Sequence, residues 1–244
     1  MSRGAYRHLD AERVLATVEK LQARIDARFP EAGLSRVCAD FHLTARVLSR
    51  QASRLSRRTW IWRLAALGLV LGGVAAQVAA ARFLHLEGAG LSAAELVQGL
   101  EAAVNLLILF GGAVWFLLTL EERDKRRRAL DALHRLRVLA HVVDMHQLTK
   151  DPTAMLDAQR TSASPQRTMS RFELTRYLDY CSEMLALIGK IAALFADRMR
   201  DSVVIEAVTD IEDLTTGLGR KIWQKISILS AVDQASQGGV ETPR

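Results

Sequence analysis

Cysteine, proline and aromatic residues are all scarce in this chain, and each scarcity excludes something. There are 2 cysteines, Cys38 and Cys181, far apart in sequence. A disulfide framework needs an even set at short spacings, so these two read as small core residues on apolar helix faces. The 4 prolines fall at positions 30, 152, 165 and 243, all at element boundaries, and interrupt no periodic segment. No run of alternating β-branched residues is bounded by turn signals, which excludes a sheet. The fold class that remains is all-α. Also missing are a phosphate-cradling glycine loop, a Ser/His/Asp nucleophile set and a CxxC pair. The expectation is therefore a non-enzymatic chain with no cofactor and no metal.

What is present is an uneven mixture. Half of the 244 residues are apolar, a quarter are charged, and the net charge is +6. A basic balance has three common readings: nucleic acid, anionic lipid, or the marking of membrane orientation. Position along the chain chooses among them. No charge occurs from Leu64 to Ala81, where Gln77 is the only polar side chain, or from Ala102 to Leu120, where Asn105 and Thr119 are the only ones. About 20 apolar residues cross a hydrocarbon core of about 30 Å. The pattern predicts a two-helix transmembrane hairpin, with spans over 60–81 and 98–120 and an outer loop over 82–97. The first span lies too far into the chain for a cleavable signal peptide.

The flanks give the orientation. Arg57 and Arg58 precede the first span, and Arg123, Lys125, Arg126, Arg127 and Arg128 follow the second, whereas the loop carries Arg82 alone with Glu87 and Glu95. Lys and Arg in short flanks stay in the cytoplasm. Both termini are expected inside, in a multi-pass protein of the plasma membrane. Trp60, Trp62 and Trp115 fall near the inner interface. The bilayer is the first expected partner, and the basic cluster adds anionic head groups. It sits among Glu121, Glu122 and Asp124 without aromatics, so nucleic acid is not expected.

Gly68, Gly72, Ala76 and Ala80 form a small-residue stripe of the kind that lets two helices approach closely. Gly111 and Gly112 of the second span are its expected receivers, and a homodimer is the other way to use it. Gln77 and Asn105 are expected to pair in the outer leaflet, and Arg82 with Glu101 at its edge. A pore lined by Gln77 and Asn105 is the sharper reading of the same two amides.

The rest of the chain predicts helices for a cytoplasmic helical bundle. In the N-terminal region, 1–58, Val14, Val18, Leu21, Ile25 and Phe29 share one face, with Asp10 as N-cap and Pro30 beyond the end. A second helix begins near Leu34, where Leu34, Phe41, Leu48 and Leu55 repeat every seven residues, a weak coiled-coil seam better suited to packing against a neighbouring cytoplasmic helix. After the second span a basic helix, 121–149, continues to about Leu148 and stops before Pro152. Residues 150–169 read as a linker. A helical hairpin follows over 170–232, opened by the Ser170/Glu173 capping box and loosened at Gly217 and Gly219. A disordered tail is expected over 233–244.

One helical face of the basic helix carries His134, Arg137, His141 and Asp144. This is a possible polar site, for a metal or a proton-linked switch, set against the solvated side of an amphipathic helix. Arg135 and His141 fit the loose Arg-(four to six residues)-His pattern of HEPN ribonucleases, which implies a membrane-tethered ribonuclease as one alternative. The overall plan, a two-span hairpin followed by a basic helical extension over residues 50–150, resembles the bacterial SLATT group in topology. That resemblance implies a bacterial inner-membrane location and a pore-forming or effector role, and carries over no functional residue. The leading expectation is a membrane-anchored helical interaction or scaffold module, working as a homo-oligomer or with a partner protein. Leu178 and Leu185 are its expected assembly contacts.

Overall fold

The carboxylate of Asp10 accepts the backbone N–H groups of Glu12 and Arg13 at 3.0 and 3.3 Å, which starts the first helix at the next residue. In the computed structural model, six helices follow one another: α1 (Ala11–Arg28), α2 (Gly33–Leu55), α3 (Trp60–His85), α4 (Ala93–Leu148), α5 (Arg171–Arg198) and α6 (Ser202–Gly238). The structure describes residues 8–55, 60–85, 93–150 and 169–238, with backbone alone at 60–63, 80, 81, 83–85, 95, 96, 118 and 232–238. No strand occurs among the described residues.

The chain divides into two compact units, Arg57–Arg128 and the remainder, Met1–Ser56 with Ala129–Arg244. The larger unit is a helical bundle whose directions follow from its long-range bonds. Ser35 donates to Asp26 at 2.5 Å and His42 bonds Gln22 at 2.6 Å, so α1 and α2 form an antiparallel pair. Arg24 pairs with Glu183, and His8 meets Asp197 at 2.8 Å, which sets α5 antiparallel to α1. Arg137 meets Asp210 at 3.1 Å and Lys225 meets Gln147 at 2.6 Å, so the last part of α4 runs parallel to α6.

Helix α5 is central and buries more of its side chains than any other. Leu178, Cys181, Leu185, Ile188, Ala192 and Phe195 are all wholly buried. Its start is the capping box expected from the sequence: Ser170 and Glu173 satisfy each other's backbone N–H. Leu34, Phe41 and Leu48 of α2 are wholly buried in the same core. The heptad seam therefore packs inside the bundle, while Leu43 and Val47 of the same helix are exposed. Leu178 and Leu185 are likewise core residues of the bundle.

Two expectations are corrected. Helix α6 passes through Gly217 and Gly219 without a break and continues to Gly238, beyond the point where the tail was expected to begin. Helices α3 and α4 extend into the expected outer loop, to His85 and from Ala93. The linker residues 151–168 and the final residues 239–244 lie outside the described residues.

In the smaller unit, Leu100, Leu107, Ile108, Leu109 and Trp115 of α4 are each at least 66% exposed. Among the described residues, one helix, α4 from Val97 on, is long and apolar enough to cross a membrane. The apolar stretch of α3, Leu64–Ala79, is shorter than that test requires.

Candidate functional site

Helices α3 and α4 meet in the smaller unit on a different face from the one the small-residue stripe suggested. A Cβ added at Gly68, Gly72, Gly111 or Gly112 would have nothing within 4 Å, and Ala76 is exposed. The close approach is at Gly73, where an added Cβ would come within 2.6 Å of the Phe110 ring. The side chain of Ala80 lies outside the described ones. Beside Phe110 is a groove of about 470 Å³ lined by Val70, Val74, Gln77, Leu107 and Gly111, among others. Gln77 is its one amide. Asn105 does not line it, and neither amide has a hydrogen-bond partner among the described residues. The expected Gln77–Asn105 bond is absent, as is the Arg82–Glu101 ion pair.

The basic cluster is partly neutralised along its own helix. Lys125 donates to the buried Glu121 at 2.5 Å, and Arg128 pairs with Asp124 at 2.7 Å. These i,i+4 pairs hold the side chains along α4. Arg123 and Arg127 are exposed, and Arg126 is half-buried with a partner of its own. Arg57 and Arg58 lie outside the described residues.

The polar face of α4 does not converge. His134 and His141 are exposed, Arg137 is taken by Asp210, and Asp144 accepts from the Gln147 amide at 2.5 Å. No group of three metal-ligating side chains occurs among the described residues. Arg135 and His141 are both exposed, and neither makes a hydrogen bond or ion pair there.

A denser polar cluster, not picked out by the sequence, lies where the end of α4 meets the start of α2 and the flanks of α5 and α6. His146 lies against Gly33, where an added Cβ would come within 2.5 Å of the imidazole Cε1. The neighbouring Gln147 is buried and accepts two bonds from the Lys225 ammonium, at 2.9 Å on its backbone carbonyl and 2.6 Å on its side chain. That backbone carbonyl also accepts the backbone N–H of Lys150 at 3.1 Å, so Lys225 adds a second bond at the helix end. Lys150 sits with its ammonium 5.4 Å from the centre of the Tyr177 ring. Tyr177 in turn meets Phe29 edge-on, their ring centres 5.7 Å apart.

The electrostatics of this junction are consistently positive. Burial, then Lys150, then Arg36 hold the His146 imidazole below its ordinary range, so it is neutral at pH 7. Burial pushes the Cys181 thiol up to about 12, against the opposing pull of Lys225 and Lys150. Burial also raises the Tyr177 phenol, which stays protonated and remains a donor. Cys38 is pushed up to about 12 by burial and then by Asp26, and with Cys181 it is a free, inert core thiol. Sequence inspection missed the cluster because its members come from four helices. The one local hint was His146, beside the polar face already singled out.

No protein family, no curated protein and no solved structure matches this chain.

Proposed function

We propose that the chain is a membrane-anchored helical interaction module, in which α3 and the first part of α4 form a two-span hairpin and the bundle is its cytoplasmic working part. One observation carries this reading: the apolar face that α4 leaves open, from Leu100 through Leu107 and Ile108 to Trp115. A water-soluble monomer rarely exposes an apolar patch so large. A lipid bilayer solvates the same surface without cost. The basic residues after α4's apolar stretch then mark its cytoplasmic end. The bundle offers a folded helical surface on which a partner protein, or a second copy, is gathered at the membrane.

Alkaline extraction of membranes from cells expressing the full chain tests the anchor. The protein is expected to stay with the lipid, and tags at both ends are expected to be shielded in intact cells. Release into the supernatant, or a tag reachable from outside, overturns the reading.

A second reading, an oligomeric pore or effector, is favoured by Gln77 and Asn105, which are exposed without partners. Association of several copies is one way to turn these amides inward. It predicts an ion leak on overexpression that Asn105→Leu and Gly72→Leu abolish. Membranes that stay tight at high expression overturn it.

A further inference from the structure

Along α6 the charge changes sign once. From Asp201 to Gly219 the chain carries five acidic residues and no base, and from Arg220 to Val232 three bases and no acid. The helix dipole favours such an order only within the first and last turns. Glu212 and Arg220 stand well inside a helix that runs from Ser202 to Gly238. Neither has an opposite charge three or four residues away, so the pattern does not serve pairing within α6.

The sides of α6 are used unequally. Val204, Val208, Ile211 and Ile222 are buried in the bundle core, and Asp210 and Lys225 tie another side to α4. A third side is open: Thr209, Glu212, Thr216, Arg220 and Trp223 are all exposed. These residues step by 3, 4, 4 and 3, a spacing that reads the same in both directions from Thr216. Glu212 and Arg220 make no ion pair among the described residues. Trp223 is 61% exposed, and tryptophan is the kind of residue that anchors protein interfaces. A Cβ added at Gly217 or Gly219 meets nothing within 4 Å, so the backbone beside Thr216 is open to close approach.

We propose, resting on the membrane-anchored module above, that this face of α6 is a two-fold interface for a second copy of the chain, its α6 antiparallel to the first and Thr216 at the axis. Such pairing sets Glu212 of each copy against Arg220 of the other, twice over, and lays each Trp223 beside the other copy's Thr209. A parallel pairing sets like against like, so charge selects the antiparallel one. An anionic membrane suits Trp223 and Arg220 but is repelled by Glu212 and Asp213, which favours the second copy as occupant. Anchoring holds two copies at high local concentration, and one helix face then suffices.

The test is thiol cross-linking of the full chain in membranes, with a short bis-maleimide, at low expression. Cys38 and Cys181 are buried, so an introduced surface thiol is the one that reacts. Thr216→Cys lies at the axis and is expected to give an adduct of twice the chain's mass. Ser227→Cys is also exposed, but across an antiparallel pair its two copies stand about 33 Å apart and are not expected to link. In the Thr216→Cys background, Glu212→Arg or Arg220→Glu is expected to lower the cross-linked fraction about tenfold, and the double reversal to restore it. Trp223→Ala is expected to lower it by a similar factor. Equal linking at positions 216 and 227, an adduct with a different protein, or charge reversals without effect or without rescue overturns the interface. Alkaline extraction of the same membranes separates this from the anchor. A chain that is retained but not linked at Thr216→Cys overturns the interface alone. One that is released yet linked supports the interface and overturns the anchor.

Discussion

His146 is a residue whose charge state the fold opposes. It lies against Gly33, with Lys150 just beyond the end of its own helix and Arg36 on α2 within reach. Burial first, then the two cations, depress its folded pKa below the ordinary histidine value of 6.5. The unfolded chain therefore takes up the proton first. The stability this contributes is complete above about pH 6.5 and is lost as pH falls through that value toward the folded pKa. Melting temperature is expected to drop below pH 6.5 more steeply in the native chain than in His146→Gln. Parallel pH profiles for the two proteins exclude the assignment. Little of this could be read beforehand. The imidazole's partners belong to other helices, and periodicity reports which face is buried but not what it meets. Asp10, by contrast, was legible as an N-cap, because a capping side chain acts only on the next three residues.

At the level of the helices, the same distinction separates what was visible from what was not. The 4 and 3 steps of Leu174, Leu178, Cys181, Leu185, Ile188, Ala192, Phe195 and Met199 predict α5; all are buried except Met199, which is half-buried at the C-cap. Their period dictated a buried face, and a helix apolar on so much of its surface belongs at the centre of a bundle. Leu185→Ala is expected to cost about 2–5 kcal/mol, as for other wholly buried leucines. Ser170→Ala removes one cap and is expected to cost about 1 kcal/mol. Chemical denaturation of both variants checks the order, and equal losses contradict a central α5. The pairing of α3 with α4 was misread for a physical reason. The stripe at Gly68, Gly72 and Ala76 shows only that a backbone can approach there. Gly73, one position off the stripe, is where Phe110 seats. Small residues permit contact on any face they occupy, and the bulky partner selects among them.

For the whole molecule, the division into two units means that one unit can be removed while the other keeps its own core. The bundle's buried side chains, from Val14 through Leu136 and Phe195 to Leu229, lie within the segments 1–56 and 129–244. A chain in which residues 57–128 are replaced by a Gly/Ser linker is expected to be soluble without detergent, helical, and cooperative in its thermal unfolding. The linker must leave room for α2 to end and α4 to resume, and flexible chain meets that at small entropic cost, since closure grows only slowly with length. The full-length chain under the same conditions is expected to require detergent, because the exposed leucines of α4 remain. Circular dichroism melts and sedimentation of the two proteins side by side separate the possibilities. A spliced chain that is helical but unfolds without cooperativity shows that the bundle depends on the apolar unit for its packing. A full-length chain that is monodisperse in plain buffer shows that α4's open face is covered by protein rather than lipid. Only the pair of results, a soluble bundle and an insoluble parent, locates the need for lipid in residues 57–128.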